Sequence, residues 1–258
     1  MKALVLAAGY ATRLKPLTEQ VAKPLLPLAG KPVLDYVCDR IDEVAEVDEI
    51  HVVTNARFAG SFREWASGRD SRAPLLVHDD GTLSNEDRLG AIGDIVFAVE
   101  QGGLEGESLL VVAGDNVFDF SLVELVGFWR SKGRATCLAV HRLAERERLS
   151  DFGVVELDRE GRVVGFEEKP KRPTSDLIAT AAYVFHSDHL ALIDRYSDEG
   201  NSLDEPGKFL AWLHRSEPVY GLVFEGLWLD IGDERQLLAA DELMRERFGL
   251  PRRESYSL

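Results

Sequence analysis

The sequence predicts an α/β protein on a doubly wound sheet, with a β-rich second half built onto that sheet as a subdomain. Two patterns carry this reading. Through residue 145, short and almost wholly apolar strands alternate with amphipathic helical stretches, as expected of strands covered on both faces by crossover helices. After about residue 150 the strands follow one another more closely through tight turns, and no Pro/Gly/Ser linker separates the halves. With 258 residues and 45 % apolar side chains the chain can bury a core without staples, and 29 % charged residues is ordinary for a folded protein and unlike a disordered one.

Lys2–Ala8 is a continuous apolar run ended by Gly9, a strand buried on both faces. In Val33–Val44, a helical stripe collects Val33, Tyr36, Val37, Arg40, Ile41 and Val44. Strands follow at 49–54, 73–78, 108–113 and 135–141, and helices at 58–66, 90–101 and 122–131. In the second half, strands at 152–157 and 163–168 flank the turn Asp158-Arg159-Glu160-Gly161, and a third runs over 178–185. Short helices at 190–196 and 209–213 precede strands at 219–224 and 227–229. An amphipathic helix over 234–248, with Asp233 as its cap, closes one unit of 1–248, and 249–258 reads as a loosely held tail.

A net charge of −15 argues against general affinity for nucleic acid or anionic membranes, which need clustered Lys and Arg. Residues 1–31 depart from that balance. Lys2, Arg13, Lys15, Lys23 and Lys31 face only Glu19, a net of +4 that leaves −19 in the remainder. Cys38 and Cys137 are too few for a disulfide framework and read as buried thiols in a reducing compartment. No run reaches the roughly 20 apolar residues of a membrane span, and the N-terminal run is cut too early, over 9–13, for a leader. The expectation is a cytoplasmic protein. Six scattered histidines show no metal-ligand spacing and read as structural or surface residues.

Four segments carry chemistry. In the first, Leu4–Leu14 places a Gly turn at the carboxyl end of a central strand, where open α/β sheets bind ligands and backbone N–H groups cradle phosphate. Arg13 adds a planar cation, and Lys23, stiffened by Pro24 and Pro27, a second. With a single glycine over 9–14, the segment fails the dinucleotide fingerprint. In the second and third, Gly114-Asp115-Asn116 and Trp228-Leu229-Asp230-Ile231-Gly232 each end an apolar run on an aspartate, fit for a metal or equally, in the first case, for a turn. In the fourth, Glu168-Lys169-Pro170 pairs a hydroxyl-accepting carboxylate with a phosphate-meeting ammonium, or is an exposed ion pair. The polar stretch 78–89 before Gly90-Ala91-Ile92-Gly93 reads as an exposed loop or as a lid bringing Arg88 to a triphosphate, with Asp94 beyond it solvated.

Taken together, LAAGYATRLKPLT, KPLLP and Gly30-Lys31-Pro32, with the later segments in the same order, resemble the signature of the sugar-phosphate nucleotidyltransferases, the glucose-1-phosphate thymidylyltransferases in particular. The resemblance implies a three-layer, Rossmann-like mixed sheet, with a nucleotide-binding half (1–145), a β-rich sugar-phosphate half (146–232) and a C-terminal helix (233–248). It implies transfer of a nucleotidyl group from a nucleoside triphosphate to a sugar 1-phosphate with Mg²⁺, the first expected pair being dTTP or UTP with glucose 1-phosphate. By resemblance the catalytic residues are Arg13, Lys23 and Asp115, and Asp115 and Asp230 hold the metal. Nucleotide contacts fall to Leu6, Ala8, Gly9, Thr12, Arg13, Lys23, Arg88 and Gly90. Sugar-phosphate contacts fall to Gly153, Glu168, Lys169 and Thr180, with Lys208 in the place of a phosphate-binding arginine that has no match. Relatives often form dimers or tetramers. The alternatives are a cytidylyltransferase acting on an alditol, inositol or choline phosphate, and a non-catalytic subunit that binds nucleotide-sugar. The absence of a hexapeptide repeat after 245 leads us to expect no appended acyltransferase module.

Overall fold

The computed structural model describes residues 1–253, 255 and 256. Its strands are β1 (Lys2–Leu6), β2 (Pro27–Leu28), β3 (Lys31–Pro32), β4 (Glu49–Thr54), β5 (Leu75–Asp79), β6 (Leu109–Ala113), β7 (Asn116–Phe118), β8 (Thr136–Arg142), β9 (Gly153–Leu157), β10 (Val163–Glu168), β11 (Leu177–Phe185), β12 (Val219–Phe224) and β13 (Trp228–Asp230). Its helices are α1 (Val33–Asp42), α2 (Ala59–Gly68), α3 (Ala91–Gly102), α4 (Leu122–Ser131), α5 (Ser187–Leu190), α6 (Leu192–Asp198), α7 (Pro206–Leu213) and α8 (Glu234–Arg247).

A nine-stranded sheet runs β10-β9-β11-β6-β1-β4-β5, with β8 paired to β11 and β12 to β8. The β6-β1-β4-β5 portion is parallel, and β11 enters antiparallel to β6, β8 and β9, so the sheet is mixed. The double winding is visible in β1. Ala3 and Val5 enter one core with Leu34, Val37 and Ile41 of α1, Phe62 of α2 and Leu125 of α4. Leu4 enters the opposite core with Ile92 and Ile95 of α3, Ile193 of α6 and Phe209 of α7. Alternate side chains of a strand point to opposite faces, so both faces must be covered, which explains the unbroken apolar run.

A third core sets the site. Leu14, Leu26, Leu28, Val33, Val117, Ile231, Leu237 and Met244 tie the segment after β1 to the β7–β13 ribbon and α8. Both β7 and the short 3₁₀ turns at Thr12–Leu14, Lys23–Leu25 and Arg146–Asp151 were invisible to hydrophobic periodicity, being only three to six residues long. The helix expected over 190–196 is two helices, α5 and α6, meeting at Ala191.

The tail corrects the sequence reading. Tyr256 is buried in the third core and its hydroxyl donates to the Pro27 carbonyl at 2.6 Å, while Arg245 Nη1 donates to the Pro251 carbonyl at 2.9 Å. Ten residues of mostly polar sequence hid one aromatic anchor. Glu254, Ser257 and Leu258, also part of that expected tail, lie outside the described residues. Cys38 and Cys137 are buried free thiols, and burial pushes each up to about 12. Among the described residues no helix is long and apolar enough to cross a membrane.

Asp241, wholly buried on α8, accepts from the Ala29 backbone N–H and from Arg245 Nε, both at 2.6 Å. Asp241→Ala strands both donors, so the urea midpoint should fall by the equivalent of about 3–5 kcal/mol, the usual loss when one partner of a buried ion pair is removed.

Candidate active site

A cleft of about 810 Å³ opens at the carboxyl ends of β1 and β6 and is walled on its far side by β9, β10 and the start of α7. Leu6, Ala8, Gly9, Thr12, Arg13, Lys23, Arg88, Gly90, Asp115, Gly153, Glu168, Lys169 and Asp230 all line it. The chain thus gathers nearly every residue singled out in the sequence into one concavity.

The loop after β1 is tied down from beneath. Asn55 Nδ2 donates to the Ala8 carbonyl at 2.9 Å. Ala11 adopts a left-handed conformation (φ 45°), and its carbonyl accepts from Leu14 N at 3.0 Å and from the buried Thr18 hydroxyl at 2.9 Å. A Cβ built on Gly9 meets no atom within 4 Å, so glycine there leaves bare backbone toward the cleft, the room a phosphate needs to approach N–H groups. Arg13 projects from this loop, exposed and without an ion pair among the described residues.

The two aspartates meet through β7 and β13, which pair antiparallel with Asn116 opposite Asp230. Asp115 directly precedes β7, so both carboxylates lie at one end of that ribbon. The largely buried Lys23 donates from Nζ to Asp115 Oδ2 at 2.7 Å. Burial raises the Asp230 carboxyl above its ordinary value; Lys23 opposes the shift and Asp115 adds to it. Two crowded carboxylates held apart from other ligands suit a hard divalent cation, and Mg²⁺ commonly takes one or two protein carboxylates and completes its shell from phosphate and water. Among the described residues no group of three or more His, Cys, Asp or Glu forms a self-sufficient metal site.

On the far side, Gly153 stands opposite Glu168 in the β9–β10 register. A Cβ on Gly153 would lie 2.8 Å from Glu168 Oε2, and one on Gly207, in the first turn of α7, would collide with that carboxylate outright. Glu168 therefore occupies a slot between two glycines. Burial raises its carboxyl, Lys169 opposing and Glu205 adding to the shift. Lys169 holds a left-handed backbone (φ 50°), costly for a residue with a side chain, and its Nζ donates to Glu205 Oε1 at 2.5 Å.

Two expected contacts do not reach the cleft. Alternation along β11 turns Ala179, Ala181 and Tyr183 toward it and Thr180 away; the Thr180 hydroxyl is buried and donates to the Ala139 carbonyl at 3.0 Å. Lys208 pairs with Glu205 at 2.5 Å outside the lining. Arg88 lines the cleft but is not the free cation expected of it: Nε and Nη2 fork onto both Asp204 carboxylate oxygens at 3.0 and 2.7 Å, and Nη1 donates to the Asn85 carbonyl at 2.7 Å. Gly90, at φ 82°, presses against the backbone of Asp204, and Ala91 N donates to the Asp204 carbonyl at 3.1 Å, so the 79–90 stretch is clasped across the cleft to the loop before α7.

Asp94, expected to be solvated, is 7 % exposed and lines the cleft. Burial, with the nearby charges of Asp80 and Asp204, pushes its carboxyl up to about 8. Asp80 Oδ2 and Asp94 Oδ1 are both buried with no hydrogen-bond partner among the described residues, a cost that a proton on Asp94 lessens. The pair reaches the first loop through Thr82, whose Oγ1 donates to Asp80 Oδ1 at 2.7 Å and bonds the Tyr10 hydroxyl at 3.0 Å. Tyr10, Arg148, Glu205 and Gly207 are cleft residues that the sequence reading passed over, and Asp94 is one it placed in solvent. A helix carboxylate one position after a Gly turn was the available signal for Asp94, while Gly207 shows only in contacts.

The chain belongs to the nucleotidyl transferase family, whose model matches residues 2–247. A glucose-1-phosphate adenylyltransferase of Thermotoga neapolitana is 30 % identical over 93 % of this chain and 59 % of that protein. A mannose-1-phosphate guanyltransferase beta-B of Xenopus laevis is 28 % identical over 92 % and 63 %. The chain spans about three-fifths of the length of these curated relatives. A UDP-glucose pyrophosphorylase crystallised with UDP-glucose superposes with a TM-score of 0.80 over 95 % of this chain and 98 % of that one, at 19 % identity, which shows the same Rossmann-like mixed-sheet fold.

Asp94 has an ordinary value of 3.8 and a folded value of about 8, so between these the native state holds a proton that the unfolded chain releases, and stability falls as pH rises through that window. Thermal unfolding from pH 4 to 9 should show this decline in the wild type and a shallower one in Asp94→Asn. Alanine normally improves a helix over glycine, yet Gly207→Ala drives a methyl into the Glu168 carboxylate and should lower the urea midpoint by the equivalent of about 1–3 kcal/mol, the usual cost of overpacking.

Proposed function

We propose that this chain transfers a nucleotidyl group from a nucleoside triphosphate to a sugar 1-phosphate and releases pyrophosphate. The observation that carries the reading is the pairing, in one cleft, of a bare-backbone loop bearing Arg13 with the Asp115–Asp230 carboxylates, facing the Glu168–Lys169 wall. The first elements suit a triphosphate and the last a polyol phosphate.

The acceptor's phosphate oxygen, already anionic near neutral pH, attacks the α-phosphorus in line. A new P–O bond forms, the bond from the α-phosphorus to the bridging β-oxygen breaks, and pyrophosphate leaves with the electron pair. No general base is required, and none of the six histidines is needed for one. The work is positioning and charge stabilisation. Arg13 meets the charge growing on the leaving pyrophosphate, Lys23 holds Asp115 in place and lies beside the α-phosphate, and Lys169 draws in the acceptor phosphate. Glu168 accepts hydrogen bonds from sugar hydroxyls. Asp115 and Asp230 would hold Mg²⁺, which supplies further neutralisation of phosphate charge when bound.

Glu168 in its glycine slot favours a polyol phosphate over choline phosphate, and Arg13, Lys23, Asp115 and Asp230 together favour an enzyme over a non-catalytic subunit. The relatives are named for transfer of different nucleotides, so the test spans five nucleoside triphosphates against a panel of sugar 1-phosphates, beginning with dTTP and UTP on glucose 1-phosphate. Pyrophosphate release that requires Mg²⁺ is expected for at least one pair, and none from any pair overturns the reading. Asp115→Asn and Arg13→Ala should each lower kcat on the order of 100-fold or more with folding intact; near-normal turnover in either removes that residue's role.

A further inference from the structure

We propose that Arg148 is the second grip on the acceptor's phosphate, working opposite Lys169. The inference deepens the reading above and rests on it.

Five cations line the cleft: Arg13, Lys23, Arg88, Arg148 and Lys169. Lys23 is paired with Asp115, Arg88 with Asp204, and Lys169 with Glu205 and, at 3.8 Å, Glu168. Only Arg13 and Arg148 carry no ion pair among the described residues. Arg13 belongs to the loop after β1, on the triphosphate side. Arg148 belongs to the other wall, and its charge has no assignment in the reading so far.

Its place is built. The 3₁₀ segment Arg146–Asp151 is anchored by the buried Leu149, and the Arg148 guanidinium stands 5.5 Å from the centre of the Phe152 ring. Phe152 in turn meets Trp228 edge-on at 5.3 Å, and Trp228 opens the strand that ends at Asp230. The Phe152 carbonyl accepts from Lys169 N at 3.0 Å, and the next residue, Gly153, pairs with Glu168. Arg148 therefore shares one seam with the acceptor residues while lying close enough to Asp230 for its charge to be felt there.

The charge balance explains why such a residue is needed. Lys169 lies between two carboxylates, Glu168 and Glu205, so much of its charge is already answered, whereas a phosphate monoester brings up to two negative charges. Held by an aromatic face rather than by a carboxylate, Arg148 keeps its full charge and five donors for that phosphate. A guanidinium also matches two phosphate oxygens at once, which an ammonium cannot do.

The test is steady-state kinetics of Arg148→Gln and Arg148→Lys on the full chain, with each substrate varied in turn and with unfolding curves recorded alongside. Arg148→Gln should raise KM for the sugar 1-phosphate about tenfold or more and leave KM for the nucleoside triphosphate within about twofold. Arg148→Lys, keeping the charge and losing the fork, should fall between. An active wild type with an unchanged acceptor KM in Arg148→Gln, or with both KM values rising together, overturns the assignment of Arg148 while the proposed function stands. A wild type that releases no pyrophosphate from any pair instead overturns the proposed function and this inference with it.

Discussion

The site depends on one short antiparallel pairing. Asn116–Phe118 and Trp228–Asp230 form a two-stranded ribbon whose end presents Asp115 and Asp230 together, although the chain between them builds half the protein. Val117 and Ile231 enter the same buried cluster as Leu14 and Leu26, which flank Arg13 and Lys23. The loop after β1 and the carboxylates are thereby packed as one body with α8. Two like charges at such proximity are tolerated because Lys23 answers one of them. A divalent cation would answer both.

The opposite wall is arranged by absence of side chains. Gly153 and Gly207 come from a strand and a helix far apart in sequence, yet both leave room for the Glu168 carboxylate. A buried carboxylate needs a polar partner or a reason to remain reachable, and here it borders the cleft. Its neighbours Lys169 and Glu205 extend a chain of charge toward Asp204 and Arg88. The Arg88–Asp204 pair joins the 79–90 stretch to the loop before α7, beside the backbone contact that Gly90 and Ala91 make with Asp204.

The overall charge conceals this arrangement. The chain carries −15, but its first 31 residues carry +4 and supply two of the cleft's cations. The acidic remainder disfavours long polyanions, while the basic segment puts positive charge beside the cleft. Acid is present inside the cleft as well: Asp94 lines it with Asp80 behind, burial raises both carboxyls, and Asp80 is linked through Thr82 to Tyr10 of the loop after β1.

Local chemistry made much of the molecule legible from sequence alone. Unbroken apolar runs such as 2–8 announce strands buried on both faces, and Gly9, Arg13, Lys23, Asp115, Glu168 and Asp230 stand in motifs whose residue types suit phosphates, metals and sugars. These properties travel with a few neighbouring residues, so they survive in one dimension. Direction and partnership do not. Thr180 turns into the core because β11 alternates. Arg88 is occupied because Asp204 comes back across the cleft, and Tyr256 anchors a tail that composition marks as loose. Asp94 is raised because the fold buries it beside Asp80, and Arg148 and Gly207 acquire meaning only when Phe152 and Glu168 are placed against them. The sequence by itself determined the winding of the sheet and the inventory of reactive groups. Only the tertiary structure decided which charges are already spent, because ion pairing and burial depend on contacts between segments that the chain brings together only after it folds.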